Sequence, residues 1–191
     1  IGVRLVGSEM CIRDRVQRDG SNNLKYYTDD VEVYSSGSYT YNWNRGDDIQ
    51  IGFDGANTKL IGFLDEFMIH SGTSYTAEQI IKRYQTGRAG SHHTANSACV
   101  LHIKSDTTYG NKTFTDSSPS AETITNVSGV YHHIDDNRTA NTALYFDGNS
   151  YINGLSDSTT RIGKKDFTWE AWVKTDSVHT NGVWFSHWDS S

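Results

Sequence analysis

Gly62-Phe63-Leu64-Asp65-Glu66-Phe67-Met68-Ile69-His70, followed closely by Thr76-Ala77-Glu78-Gln79-Ile80-Ile81-Lys82-Arg83-Tyr84, constrains this chain more than any other stretch. The first part reads as a strand. Phe63, Phe67 and Ile69 fall on one side, and Leu64, Glu66, Met68 and His70 on the other, because successive side chains of extended backbone alternate. The second part reads as a helix. Thr76 with Gln79 fits a reciprocal capping box, Ile80, Ile81 and Tyr84 form an apolar stripe, and Gly87 is placed to end the helix in a left-handed conformation.

Elsewhere the pattern is β. With one proline, 17 glycines and 12% aromatic residues in 191 positions, short β-type runs between Gly, Asn, Asp and Ser turns suit an all-β sandwich. A net charge of −6 leaves no basic stripe for phosphates, so nucleic acid is not an expected ligand. No apolar run reaches the roughly 20 residues that span a bilayer, and membrane insertion is not expected. Two cysteines, Cys11 and Cys99, are too few for a disulfide framework.

Ser8-Glu9-Met10-Cys11-Ile12-Arg13-Asp14 looks like a translated sequencing-library adapter, and residues 1–15 are set aside from the fold argument as a non-native segment. A secretory signal is the competing reading, but Arg13, Asp14 and Arg15 interrupt it.

Beyond that point, Arg18 to Asn23 is a turn cluster. Leu24 to Tyr27 reads as a strand, Asp29-Asp30 as a turn and Val31 to Tyr34 as the returning strand. Residues 88–97, small and polar with no apolar period, read as a linker. Cys99 to Ile103 is a short strand. In Phe167-Thr168-Trp169-Glu170-Ala171-Trp172-Val173-Lys174, Phe167, Trp169, Ala171 and Val173 share one face and the intervening residues the other.

Three of these stretches resemble laminin-G-like, or concanavalin-A-like, jelly-roll domains. The 62–84 stretch is similar to the closing strand and final helix of that family. Ala143-Leu144-Tyr145-Phe146-Asp147-Gly148 through Ile152, and the 167–174 strand, resemble elements near its beginning. Residues 16–87 therefore read as the carboxy-terminal half of a jelly roll and residues 98–191 as the amino-terminal half of a following one. The fold expected from the resemblance is an antiparallel two-sheet jelly-roll sandwich with one short helix. Half a sandwich exposes an apolar face at roughly 25 cal/mol per Å². Residues 98–191 are thus expected to pack on residues 16–87 as a circularly permuted unit. The alternative is that the halves belong to neighbours in a tandem array.

No residue is assigned a catalytic role. A glucanase-type hydrolase needs two carboxylates on one face, and Asp65 and Glu66, being adjacent, should point to opposite faces. The doublets Asp29-Asp30, Asp47-Asp48 and Asp135-Asp136 sit in turn contexts. His92-His93 and His132-His133 are adjacent residues in polar loop sequence and lack zinc-ligand spacing. Calcium is the cofactor the resemblance implies, with Asp65 and Asp147 as its first positions and Asp54 as a third.

For ligand binding, two clusters carry aromatic rings able to stack on sugars beside hydrogen-bonding groups: Tyr39, Tyr41, Trp43 and Asn44, and Trp184, His187, Trp188 and Asp189. Packing is the competing reading for both. The expected function is a non-catalytic recognition or adhesion module, extracellular or on a cell or virion surface, binding glycan or surface protein through rim loops. A spacer repeat among neighbouring repeats of one parent chain, and an appendage of a carbohydrate-active enzyme, are the alternatives.

Overall fold

The computed structural model describes residues 12–40, 49–53, 58–138, 141–154, 162–175 and 185–187. The amino-terminal segment supplies β1 (Ile12–Arg18), β2 (Leu24–Thr28), β3 (Val31–Ser36), β4 (Ile49–Ile51) and β5 (Ile61–Ser71), followed by helix α1 (Ala77–Arg88). The remainder supplies β6 (Cys99–Ile103), β7 (Ile124–Val127), β8 (Tyr131–His133) and β9 (Ala143–Asp147). It ends with β10 (Tyr151–Gly154), β11 (Phe167–Thr175) and β12 (Phe185–His187).

The strands form two antiparallel sheets. The larger runs β3-β2-β1-β11-β5-β9-β8, with β6 also pairing β5, and the smaller runs β12-β4-β10-β7. Both sheets draw on both segments. In the larger, β11 is inserted between β1 and β5, so residues 12–87 and 98–175 complete one another's hydrogen-bonding ladders. Residues 12–15, set aside on sequence grounds, form the first half of β1 and pair with Glu170 to Val173 of β11.

A shared core lies between the sheets. Val16, Leu64, Phe67, Ile69, Trp169 and Val173 from the larger sheet meet Ile49, Ile51 and Ile152 from the smaller. On β11 the period-two reading holds: Phe167, Trp169, Ala171 and Val173 enter this core. Glu170 and Trp172 face the other way, and they too are buried, because α1 covers that outer face.

On β5 the alternation breaks. Glu66 has φ 50°, and the register with β11 shifts so that Asp65 lies opposite Trp172 while Met68 lies opposite Glu170. One extra residue in a ladder reverses the facing of everything beyond it. Leu64, not Phe63, therefore joins Phe67 and Ile69 in the core. Asp65 and Glu66, expected on opposite faces, both project to the outer side, where their partners Arg138 and Arg13 flank the Trp172 ring.

Helix α1 starts as the sequence predicts. The Gln79 amide donates to Thr76 Oγ1 at 3.3 Å and the Thr76 amide to Gln79 Oε1 at 2.9 Å, which caps two otherwise orphaned donors. Its end differs: the helix continues through Gly87 to Arg88, and the left-handed residue is Gly90, at φ 77°. Gly87 instead lets the helix approach the Trp172 indole, and a Cβ there would lie 2.7 Å from Cζ2. Of the expected stripe, Ile80 is fully buried whereas Ile81 is 40% exposed. The stripe is thin because the sheet face below α1 is charged.

Candidate functional site

A buried ionic lattice fills the space between α1 and the larger sheet. Arg15 Nη2 of β1 donates to Glu170 Oε2 of β11 at 2.6 Å, and Arg83 Nε of α1 donates to Glu170 Oε1 at 2.9 Å. Arg13 reaches both carboxylates, with Nη2 3.3 Å from Glu170 Oε1 and Nη1 3.4 Å from Glu66 Oε2. Burial opposes ionisation of Glu170, but Arg13, Arg15 and Arg83 hold it well below the usual carboxylate range. Burial likewise opposes ionisation of Glu66, yet His102, Arg13 and His93 together bring it down to about 2.

Histidines line the same space. The His93 amide donates to Glu66 Oε1, His102 Nε2 lies 3.7 Å from that oxygen and His92 Nδ1 lies 3.6 Å from it. His92 Nε2 bonds Asp106 at 3.0 Å. The 88–97 segment read as a linker is therefore docked onto β5 through His92 and His93. Burial pushes His70 down to about 4, and burial with the charge of Arg13 pushes His93 down to about 3, so both are neutral imidazoles near neutral pH. Sequence reasoning placed His92-His93 and His132-His133 in polar loops, but His93 and His132 are buried. The available signal was the ionisable residue inside each apolar run: His70, His102 and Glu170.

Glu66 and Glu170 flank one guanidinium, a proximity that the adjacent-residue argument from Asp65-Glu66 missed. They are poorly suited to hydrolysis. Both are fully buried, and a general acid needs a raised pKa, whereas both are held ionised. A buried Ser105 Oγ bonds His132 Nδ1 at 2.7 Å, while His132 Nε2 bonds the Thr113 carbonyl at 3.0 Å. Both side chains are closed off from solvent. Among the described residues, no group of three or more His, Cys, Asp or Glu side chains is arranged to hold a metal ion.

The structure does not bring the calcium candidates together. Asp147 lies opposite Ile61 in the β5–β9 ladder, so Asp65 is four positions further along β5, about 13 Å away. Asp147 Oδ1 accepts from the Asn149 amide at 2.8 Å and from the Ser150 amide and hydroxyl at 2.9 and 2.7 Å, forming a tight turn. Asp65 Oδ2 accepts from the Arg138 amide at 2.8 Å. Asp54 lies outside the described residues.

Of the two stacking clusters, Tyr41, Trp43, Asn44, Trp184, Trp188 and Asp189 also lie outside the described residues. His187 ends β12, opposite Ile49. Tyr39 packs partly against the core and also lines an open groove of about 840 Å³ beside the β2–β3 hairpin. Tyr26, Val33 and Tyr34 form much of its wall, and Ser38 brings a hydroxyl to it, whereas the Ser36 hydroxyl is buried. Tyr34 is 54% exposed, and its ring meets that of Tyr26 edge-on at 5.4 Å.

A second aromatic surface, at the opposite end of the sheet, was not foreseen. Tyr131 of β8 lies directly across from Tyr145 of β9, Tyr145 across from Phe63 of β5, and Phe63 across from Lys174 of β11. Successive ring centroids are 5.4 and 5.0 Å apart, and Lys174 Nζ lies 5.9 Å from the Phe63 centroid. His133 sits beside the row, and Tyr109, 60% exposed, extends it at 5.2 Å from the His133 ring. Each strand contributes only one or two of these residues, so the row has no local sequence signature.

No protein-family model, curated protein or solved structure matches the chain. No helix among the described residues is long and apolar enough to cross a membrane.

Proposed function

We propose that the chain is a non-catalytic recognition module of laminin-G-like jelly-roll type that binds glycan at the β2–β3 end of its larger sheet. The observation that carries this reading is the open groove in which Tyr26, Tyr34 and Tyr39 stand beside Ser38. Ring faces bury the apolar C–H surface of a sugar while hydroxyls satisfy its oxygens. Supporting the non-catalytic part, Glu66 and Glu170, which share the Arg13 guanidinium, are fully buried and held ionised. The jelly-roll part draws on the pairing of the two family-like strands, β5 and β11, at the centre of the sheet. Such modules act outside the cell or on cell or virion surfaces, and that setting belongs to the proposal.

A glycan array on the purified chain tests it. Tyr34→Ala should remove the signal without lowering the unfolding midpoint, because over half of that side chain faces solvent. A full signal from Tyr34→Ala would refute binding in the groove.

A further inference from the structure

We infer that the Tyr131–Tyr145–Phe63–Lys174 row is a second binding surface, fitted to a neutral oligosaccharide chain, an inference that rests on the recognition reading above. The row crosses four strands, about 14 Å from end to end at the usual strand spacing. Three aromatic side chains occur along it at about 5 Å intervals. Tyr131 and Tyr145, the partly exposed members, give two successive sugar units apolar surface to rest on, and buried Phe63 backs Tyr145 from beneath.

The row differs from ordinary sheet packing in being partly open. Phe63 is buried at its inner end, but Tyr131, His133 and Tyr145 are only partly buried, and Tyr109 and Ile134 are 60% and 58% exposed at its outer end. Helix α1 lies over Glu170 and Trp172, next to the Lys174 end.

Charge selects the class of ligand. Lys174 is already neutralised by Asp136, Asp135 lies 3.5 Å from His133, and the Asp147 carboxylate acts electrostatically on Tyr131. Three carboxylates around one paired ammonium repel sulfated or uronic-acid chains and leave hydroxyl-rich neutral ones. Ring tilt narrows it further. Tyr131 and Tyr145 are inclined by 57° and Tyr145 and Phe63 by 50°, so the surface is stepped. A stepped surface follows a single twisted chain, whereas a flat crystalline polysaccharide face needs coplanar rings.

Affinity electrophoresis and calorimetry with cello-, xylo-, manno- and laminari-hexaose, a heparin hexasaccharide and microcrystalline cellulose test this. The expected result is binding of at least one neutral hexaose and neither of the other two probes. Tyr131→Ala, with Tyr109→Ala as a second exposed variant, should weaken it about tenfold or more, and Tyr131→Phe should stay within about threefold. Binding lost in Tyr34→Ala but unchanged in Tyr131→Ala and Tyr109→Ala overturns the row and leaves the groove standing. Preference for heparin or crystalline cellulose overturns the assigned ligand class. Absence of binding to every neutral hexaose at millimolar concentration overturns the row, while the recognition reading stands or falls on the glycan array.

Discussion

Arg15 and Glu170 lie directly opposite one another in the β1–β11 ladder, and their side chains form a 2.6 Å ion pair that is fully buried. The pair joins positions 155 residues apart and ties the two segments of the chain together beneath α1. Arg13 and Arg83 converge on the same carboxylate.

Glu170→Gln should therefore cost about 3–5 kcal/mol, because it leaves three buried guanidiniums facing a neutral amide. Arg15→Met should cost less, since Arg13 and Arg83 still neutralise Glu170. Urea denaturation of both variants checks the order, and a loss below about 1 kcal/mol for Glu170→Gln would contradict the lattice as the link between segments.

Acid should loosen the fold well above the carboxylate range. His70 and His93 have folded pKa values of about 4 and about 3 against an ordinary 6.5, so below 6.5 the unfolded chain takes up protons that the folded chain refuses. Their contribution is complete above pH 6.5 and is lost as pH falls through 4 and 3, at up to about 1.4 kcal/mol per pH unit for each histidine. Glu66, at about 2 against 4.5, adds a further loss below 4.5. Asp14 works in the opposite sense: raised from 3.8 to about 6 by burial and then by Asp29, it favours the fold below 3.8 and loses that contribution as pH rises through 6. The two histidine shifts are together the larger, so the melting midpoint should drop between pH 7.5 and pH 5.0. A constant midpoint over that interval would show that the imidazoles are solvated.

Two effects compete at Gly87. Replacing a helical glycine by alanine ordinarily stabilises by about 1 kcal/mol. Here the new methyl meets Trp172 atoms at 2.7 to 3.0 Å, and that indole is pinned by Tyr84 and by the guanidiniums of Arg13 and Arg138. Overpacking costs about 1–3 kcal/mol, so Gly87→Ala should lower stability on balance. Chemical denaturation decides the sign, and a stabilised variant would mean that α1 shifts freely over the sheet.

Chelator should leave the melting midpoint unchanged. Asp65 and Asp147 are about 13 Å apart by strand register, and each is bonded to neighbouring backbone amides. A midpoint that falls by several degrees in EDTA and recovers with calcium would point to ligands beyond these two.

Local signals in the sequence were reliable where short-range chemistry decides. The Thr76–Gln79 capping box, the turn at Asp29-Asp30 and the two-faced strand from Phe167 to Lys174 all occur where the residue types require them. At Glu66 they misled, because whether a strand accommodates one extra residue depends on the partner ladder rather than on its own alternation. That single bulge moved Phe63 out of the core and into the aromatic row.

By itself, then, the sequence determined the antiparallel β character, helix α1 and its cap, because these follow from side-chain periodicity and contacts three or four residues apart. Only the tertiary structure decided that β11 lies between β1 and β5, that polar side chains converge on Glu66 and Glu170, and that Tyr131, Tyr145 and Phe63 align. Those relationships join strands far apart in the chain, and burial and charge balance are properties of the assembled sheet, so no single strand carries a trace of them.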